Sequence, residues 1–273
     1  MARRCDTGCL RTFNEDAVGV RPDIGLMVVA DGMGGHNAGD VAARIAVDAI
    51  EEQVRAALAE TSDTPPGMSR PLRQAFDEAD RRMRIASQSG HGRERMGCTV
   101  AAVLLYNNHA HIAHIGDTRV YLLRDGRLSL LTRDHSPSQR ISDAGLVDDK
   151  ALSASHNRHL VSQALGVGHD AAAVEIKTLP LTPGDVLLAC SDGLNDMVDG
   201  TDIELVLDTM IDNVELAAEQ LVMVARDCGG HDNISVAVAR IDAPFPASAA
   251  VPGRVASGGK PLFARLRSWF ART

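Results

Sequence analysis

Asp31 stands in Asp31-Gly32-Met33-Gly34-Gly35, a glycine-rich stretch at the end of the apolar run Ile24 to Ala30. An acid where a buried strand gives way to a freely turning chain is placed to hold a metal. Three further carboxylates share that setting. Asp117 follows His114-Ile115-Gly116, Asp192 lies in Cys190-Ser191-Asp192-Gly193, and Asp232 lies in Gly229-Gly230-His231-Asp232-Asn233, each beside a run rich in Val, Ile, Leu or Ala. Burying one unpaired carboxylate is costly, and gathering several demands a cation to neutralise them. Oxygen-only donors select hard ions such as Mg²⁺ or Mn²⁺ over zinc, and no Cys-x₂-Cys or His-Glu-x-x-His spacing occurs. Asp beside Gly is also an ordinary turn former. One such motif would be read that way; four along one chain favour the metal.

The elements that must position these acids are legible as hydrophobic periods. Ile24 to Ala30 reads as a strand, Ala38 to Leu58 and Arg70 to Ser87 as helices. Strands are expected at Thr99 to Tyr106, Ala110 to Ile115, Arg119 to Arg124 and Arg127 to Leu131, with Asn107-Asn108 and Asp125-Gly126 as hairpin turns. From Asp134 to Gly168 the chain is polar and irregular, with a short helix over Ser136 to Ala144, in the manner of a mobile loop over an active site. Strands return at Val174 to Leu179, Val186 to Cys190 and Ile234 to Ile241, and helices at Asp202 to Met210 and Val214 to Asp227. Strands and helices come in blocks, which favours α+β layering over a doubly wound sheet.

The 273 residues carry a net charge of −8, unevenly spread. Arg254, Lys260, Arg265, Arg267 and Arg272 fall after residue 242, where no acid occurs, leaving a body of 23 basic and 36 acidic side chains, or −13. Such a body argues against a nucleic-acid-binding surface and suits a carrier of cations. The start, Met1-Ala2-Arg3-Arg4, runs into Cys5-Asp6 rather than an apolar stretch, no segment approaches the roughly 20 apolar residues of a membrane span, and five widely spaced cysteines fit a reducing compartment. A cytoplasmic protein is expected. After Asp242 the composition turns to Ala, Pro, Ser and Gly, giving a linker over 243–260 and a short basic amphipathic tail over 261–273. That tail reads equally as a docking peptide for an acidic partner or anionic membrane surface and as a frayed end.

Taken in order, Arg11-Thr12-Phe13-Asn14-Glu15-Asp16, Asp31-Gly32-Met33-Gly34-Gly35-His36, Gly97-Cys98-Thr99, Gly116-Asp117-Thr118-Arg119, Asp134-His135-Ser136, Ser191-Asp192-Gly193 and Asp232-Asn233-Ile234-Ser235 form a specific set. The chain resembles the PPM (PP2C-like) family of metal-dependent serine/threonine protein phosphatases, in its bacterial branch, over residues 5–242. The resemblance implies a four-layer α-β-β-α sandwich with two central antiparallel sheets and two Mn²⁺ or Mg²⁺ ions at one end. By similarity Asp31 bridges both ions, the Gly32 carbonyl and Glu15 complete one, and Asp192 and Asp232 the other. Asp16 and Asn233 stand behind these ligands, Asp117 joins Asp192 at a third, weaker metal position, and Arg11 grips the substrate phosphate. Phosphorylated Ser/Thr proteins are the implied substrates and a bacterial Ser/Thr kinase the implied opponent.

The chemistry is coherent in its own terms. Two metals roughly 3.5–4 Å apart lower the pKa of a bridging water and stabilise both the entering and leaving oxygens of an in-line displacement at phosphorus. Arginine offers a planar fork for two phosphate oxygens, which lysine does not. One departure stands out: Met33 occupies the place where eukaryotic members carry a histidine proposed as general acid, so either a metal-bound water or His36 takes that part, while His135 reads as a structural loop residue. A nucleotide-binding Gly loop is set aside because Asn37 holds the third glycine place and Asp31 would repel a pyrophosphate. A catalytically silent phosphoprotein-binding scaffold of the same fold is the remaining alternative, disfavoured by retention of Glu15, Asp31, Asp192 and Asp232.

Overall fold

The computed structural model describes residues 1–34, 38–60, 67–88, 96–143, 160–168 and 172–246. Among them lie ten strands: β1 (Ala2–Asp6), β2 (Asp16–Arg21), β3 (Leu26–Met33), β4 (Gly97–Tyr106), β5 (His109–Ile115), β6 (Arg119–Arg124), β7 (Arg127–Leu130), β8 (Glu175–Pro180), β9 (Val186–Cys190) and β10 (Ile234–Arg240). The helices are α1 (Ala38–Glu60), α2 (Ser69–Ser87), α3 (Pro137–Asp143), α4 (Asp192–Asn195), α5 (Gly200–Thr209) and α6 (Val214–Asp227). Two antiparallel five-stranded sheets result, ordered β1-β10-β9-β6-β7 and β2-β3-β4-β5-β8. This is the expected α+β sandwich.

Strands at the middle of both sheets are apolar on both faces, and the period-2 alternation divides their side chains between two cores. On β3, Leu26, Val28 and Ala30 pack with α1 and α2, whereas Met27 and Val29 face the opposing sheet. On β10, Ile234, Val236 and Val238 meet α5 and α6, whereas Ala237 and Ala239 enter the layer between the sheets. Small side chains such as Ala101, Ala110, Ala189 and Ala237 are frequent in that middle layer, which lets the sheets approach closely. The helices cover the outer faces with alanine-rich stripes, Ala42, Ala43, Ala46 and Ala49 on α1 and Ala217, Ala218 and Ala225 on α6. Asp199 caps α5 by accepting from the Thr201 and Asp202 amides at 2.9 Å each, and Asn213 caps α6 through the Leu216 amide at 3.1 Å.

Both expected hairpins form, with Asn107, Asn108, Asp125 and Gly126 all at positive φ as a primed turn requires. Three features differ from the sequence reading. β1 and β2 were not expected, because β1 is a largely exposed edge strand with a polar sequence and β2 is half-buried, so neither carries a strong apolar period. Packed residues extend from Met1 to Phe245, both of which lie against the middle layer. β3 begins after Gly25 and runs through Asp31-Gly32-Met33, so Asp31 sits in hydrogen-bonded sheet, opposite Asp16 on one side and Thr99 on the other, and not on a free turn. Finally, 160–168 is pinned rather than loose: Leu165 is fully buried and exchanges backbone hydrogen bonds of 2.9 and 3.1 Å with Cys98.

This topology decides where the acids meet. Asp16 opens β2, Asp31 lies near the end of β3, Asp117 follows β5, Asp192 follows β9 and Asp232 precedes β10. In antiparallel sheets those starts and ends fall at the same edge of the sandwich.

Candidate metal centre

Arg11, Glu15, Asp31, Gly32, Asp117, Asp192, Asp232 and Asn233 line a single cleft of about 750 Å³. Asp16 lies beside it. Its carboxylate Oδ2 accepts from the Ser191 hydroxyl at 2.9 Å, which ties the start of β2 to the end of β9 across the two sheets. Asn233 fixes the neighbouring loop three ways: Oδ1 accepts the Glu15 amide at 2.8 Å, and Nδ2 donates to the carbonyls of Thr7 and Phe13 at 2.9 and 3.0 Å. Glu15 accepts the Gly39 amide at 3.2 Å near the start of α1, and its own carbonyl accepts the Gly32 amide at 3.2 Å. Gly32 has no room for a side chain, since a Cβ would lie 2.0 Å from the Gly39 carbonyl oxygen and 2.5 Å from that of Glu15. Asp117 sits where the chain crosses from one sheet to the other, after Gly116, whose φ of +99° excludes other residues without strain.

The electrostatics are those of a site assembled for cations. Burial raises the Asp31 carboxyl well above the usual range, and Asp16, Asp192, Asp117 and Asp232 push it further. Burial lifts Asp16 up to about 8 against the opposing hydrogen bonds of Ser235 and Ser191. Asp117 is pushed up to about 8 by burial and then by Asp192 and Asp134. Burial also raises Glu15. Like charges directly opposite on paired strands, as Asp16 and Asp31 are, destabilise a sheet. A constellation of oxygen donors that repel one another, with a single arginine among the described residues that line it, fits divalent hard cations.

Arg11 is that arginine. Its Nη2 donates to Asp232 Oδ2 at 2.6 Å, with half the Arg11 side chain exposed. His36 lies outside the described residues. His231, directly before Asp232, lines the cleft and was not singled out in the sequence reading; its place in a metal-motif loop was the available signal. Leu160 and Val161 form an apolar part of the rim, held by Ser162, whose amide and hydroxyl both donate to the His135 carbonyl at 2.8 Å.

The chain is similar to known proteins over most of its length. The family profile described as Protein phosphatase 2C matches residues 11–224. The serine/threonine protein phosphatase PstP of Mycobacterium tuberculosis (strain ATCC 25618 / H37Rv) is 35% identical over 245 residues, covering 88% of this chain; the chain spans only 44% of that protein's length. The serine/threonine phosphatase stp of Listeria monocytogenes serovar 1/2a is 34% identical over 248 residues, covering 88% of this chain and 94% of the relative. Among solved structures, the catalytic domain of the serine threonine protein phosphatase PstP in complex with two manganese ions superposes with a TM-score of 0.76 at 32% identity, over 88% of this chain and 97% of that one.

Proposed function

The chain belongs to the protein phosphatase 2C family, and on that premise we propose that it removes phosphate from phosphoserine and phosphothreonine in proteins, opposing a Ser/Thr kinase of its cell. The observation that carries this reading is the convergence of six carboxylates, Glu15, Asp31, Asp117, Asp192, Asp196 and Asp232, on one cleft beside Arg11. We assign Glu15, Asp31 and the Gly32 carbonyl to one Mn²⁺ or Mg²⁺ ion, Asp31, Asp192 and Asp232 to a second, and Asp117 with Asp192 to a third, weaker position. The manganese-bound PstP structure supports the choice of ion. When bound, such ions supply a water of lowered pKa and positive charge for the phosphoryl oxygens.

The protein's own groups do the remaining work. Arg11, on an exposed loop, exchanges its contact with Asp232 for the oxygens of the incoming phosphate, which its planar fork matches. Asp16 and Asn233, through Ser191 and the Glu15 amide, hold the acid-bearing strand ends in register. His231 stands in the cleft as a candidate to protonate the departing serine or threonine oxygen, a role also open to His36. A cytoplasmic location is supported by five free cysteines, and among the described residues no helix is long and apolar enough to cross a membrane. The basic tail, which we assign to docking on a protein or membrane surface, lies outside the described residues from 247 on.

The test is hydrolysis of p-nitrophenyl phosphate and of a phosphothreonine peptide by the purified chain. Turnover that requires Mn²⁺, stops with EDTA and is absent from Asp31→Asn supports the reading. Metal-independent turnover, or none with any divalent ion, returns the chain to the phosphoprotein-binding scaffold.

A further inference from the structure

Away from the cleft, β5 and β8 bring two histidines and an acid together. His114 lies directly opposite Glu175 across the β5–β8 pair, so both side chains stand on one face of the sheet. His135 comes from the segment after β7, and its ring centroid is 4.9 Å from that of His114, with the planes tilted by 35°. One ligand atom from each of the three residues falls within a group no wider than 4.8 Å. The separation of His135 Nε2 from Glu175 Oε1 is 3.3 Å. That is about the edge of a tetrahedron built on metal–ligand bonds of about 2.0–2.1 Å.

From this juxtaposition we propose that His114, His135 and Glu175 form a second kind of metal site, selective for a zinc-class transition ion and separate from the carboxylate cleft. The donors differ in kind from those of the cleft. Two imidazoles and one carboxylate suit zinc or its borderline neighbours, whereas all-oxygen donors suit magnesium and manganese. The surroundings of His114 are those of a ligating histidine, because its Nε2 bonds the Arg133 carbonyl at 2.9 Å and leaves Nδ1 to offer its lone pair. Burial also lowers the pKa of His114, which keeps the ring neutral, as coordination needs. The two rings are 3% and 8% exposed, while Glu175, at 57% side-chain exposure, leaves the face open for an ion to enter. Asp134, the nearest other acid in sequence, is occupied by Arg119 in a two-fold contact of 2.9 and 2.7 Å and takes no part.

The site is wired to the catalytic end. The Gly116 amide donates to His135 Nδ1 at 3.2 Å, and the His135 amide donates to the Gly116 carbonyl at 2.9 Å, one residue from Asp117. While Nδ1 accepts that bond, the neutral ring carries its proton on Nε2. An ion binding at Nε2 takes the lone pair of that nitrogen, so the neutral ring must carry its proton on Nδ1 instead, where it faces the Gly116 amide, and the Gly116 bond is lost. Occupancy is therefore felt at the backbone that presents Asp117.

The experiment uses the full chain saturated with Mn²⁺, titrated with chelator-buffered Zn²⁺ by calorimetry, while paramagnetic resonance follows free Mn²⁺. The expected result is Zn²⁺ uptake without Mn²⁺ release, weakened about 10-fold or more by Glu175→Gln and abolished by His135→Ala. Glu175 is exposed, so Glu175→Gln decides the matter even if His135→Ala does not fold. Absence of Zn²⁺ uptake, uptake matched by equal Mn²⁺ release, or an affinity unchanged by Glu175→Gln overturns the proposal. None of these outcomes depends on phosphatase turnover, so failure here is distinguishable from failure of the functional reading.

Discussion

Asp31 is unfavourable for the fold and, in the function proposed above, holds both metal ions. It is packed into a strand opposite another acid, and burial, followed by four neighbouring carboxylates, raises its pKa and disfavours its charged form. Asp31→Asn should remove Mn²⁺-dependent hydrolysis by about 10³-fold or more while stabilising the metal-free chain by about 1 kcal/mol, read by paired activity and denaturant-melt measurements. Arg11 behaves oppositely. Its ion pair with Asp232 is half-exposed and contributes little to stability. Arg11→Ala should leave the melting temperature within about 2 °C, yet lower kcat/KM on a phosphopeptide by roughly 10–100-fold, and Arg11→Lys should recover only part of that. For the proton donor, a His231→Gln loss of kcat that is large on a phosphoserine peptide and small on p-nitrophenyl phosphate, whose leaving group needs no proton, would assign the role to His231, and equal loss on both or none would leave it to His36 or a bound water.

At the scale of elements, close backbone approach at Gly32 holds β3, the start of α1 and the Glu15 loop together. Gly32→Ala places a methyl group 2.0 Å from a carbonyl oxygen with no flexible side chain to yield. It should cost about 2–4 kcal/mol and lower Mn²⁺ affinity together, by denaturation and calorimetry. Far from the cleft, Asp185 anchors the β8–β9 connection. It is 1% exposed, accepts two bonds from Arg124 at 2.7 and 2.6 Å and one from the Thr182 amide at 2.7 Å. Burial raises its pKa, but Arg124 and the Thr182 amide outweigh this and hold the carboxyl below its ordinary value. A depressed folded-state pKa contributes stability that is present above the unfolded value of about 3.9 and fades as pH falls through the folded one. Asp185→Asn should cost about 2–4 kcal/mol at neutral pH, with the difference from wild type shrinking below about pH 4.

For the molecule as a whole, the gathered acids tie stability to metal and pH. With Asp16 and Asp117 pushed up to about 8 and Asp31 also raised, each contributes stability that is complete below about pH 4, the unfolded carboxylate range, and is lost as pH rises toward 8. The metal-free chain should therefore melt several degrees lower at pH 8 than at pH 5, and Mn²⁺ should restore most of the loss at pH 8 and little at pH 5. A melting temperature in EDTA that is flat or rising across this window would contradict the electrostatic account of the cleft.

The acids that gather at the cleft, the layering and most strands and helices were legible in the chain, because periodicity, turn residues and motif composition are properties of neighbouring residues. Asp31, Asp117, Asp192 and Asp232 each announced themselves within five residues. What the tertiary structure alone decided depends on segments far apart. Polar β1 is a strand only because β10 pairs with it, Asp31 is in sheet only because Asp16 and Thr99 flank it, and Arg11 meets Asp232 across 221 positions of sequence. The His114, His135 and Glu175 cluster arises in the same way, from the register of β5 against β8 and the fold of one loop over both. Register and cross-sheet contact are set by burying apolar faces contributed from the length of the chain, and no local window contains both sides of that balance.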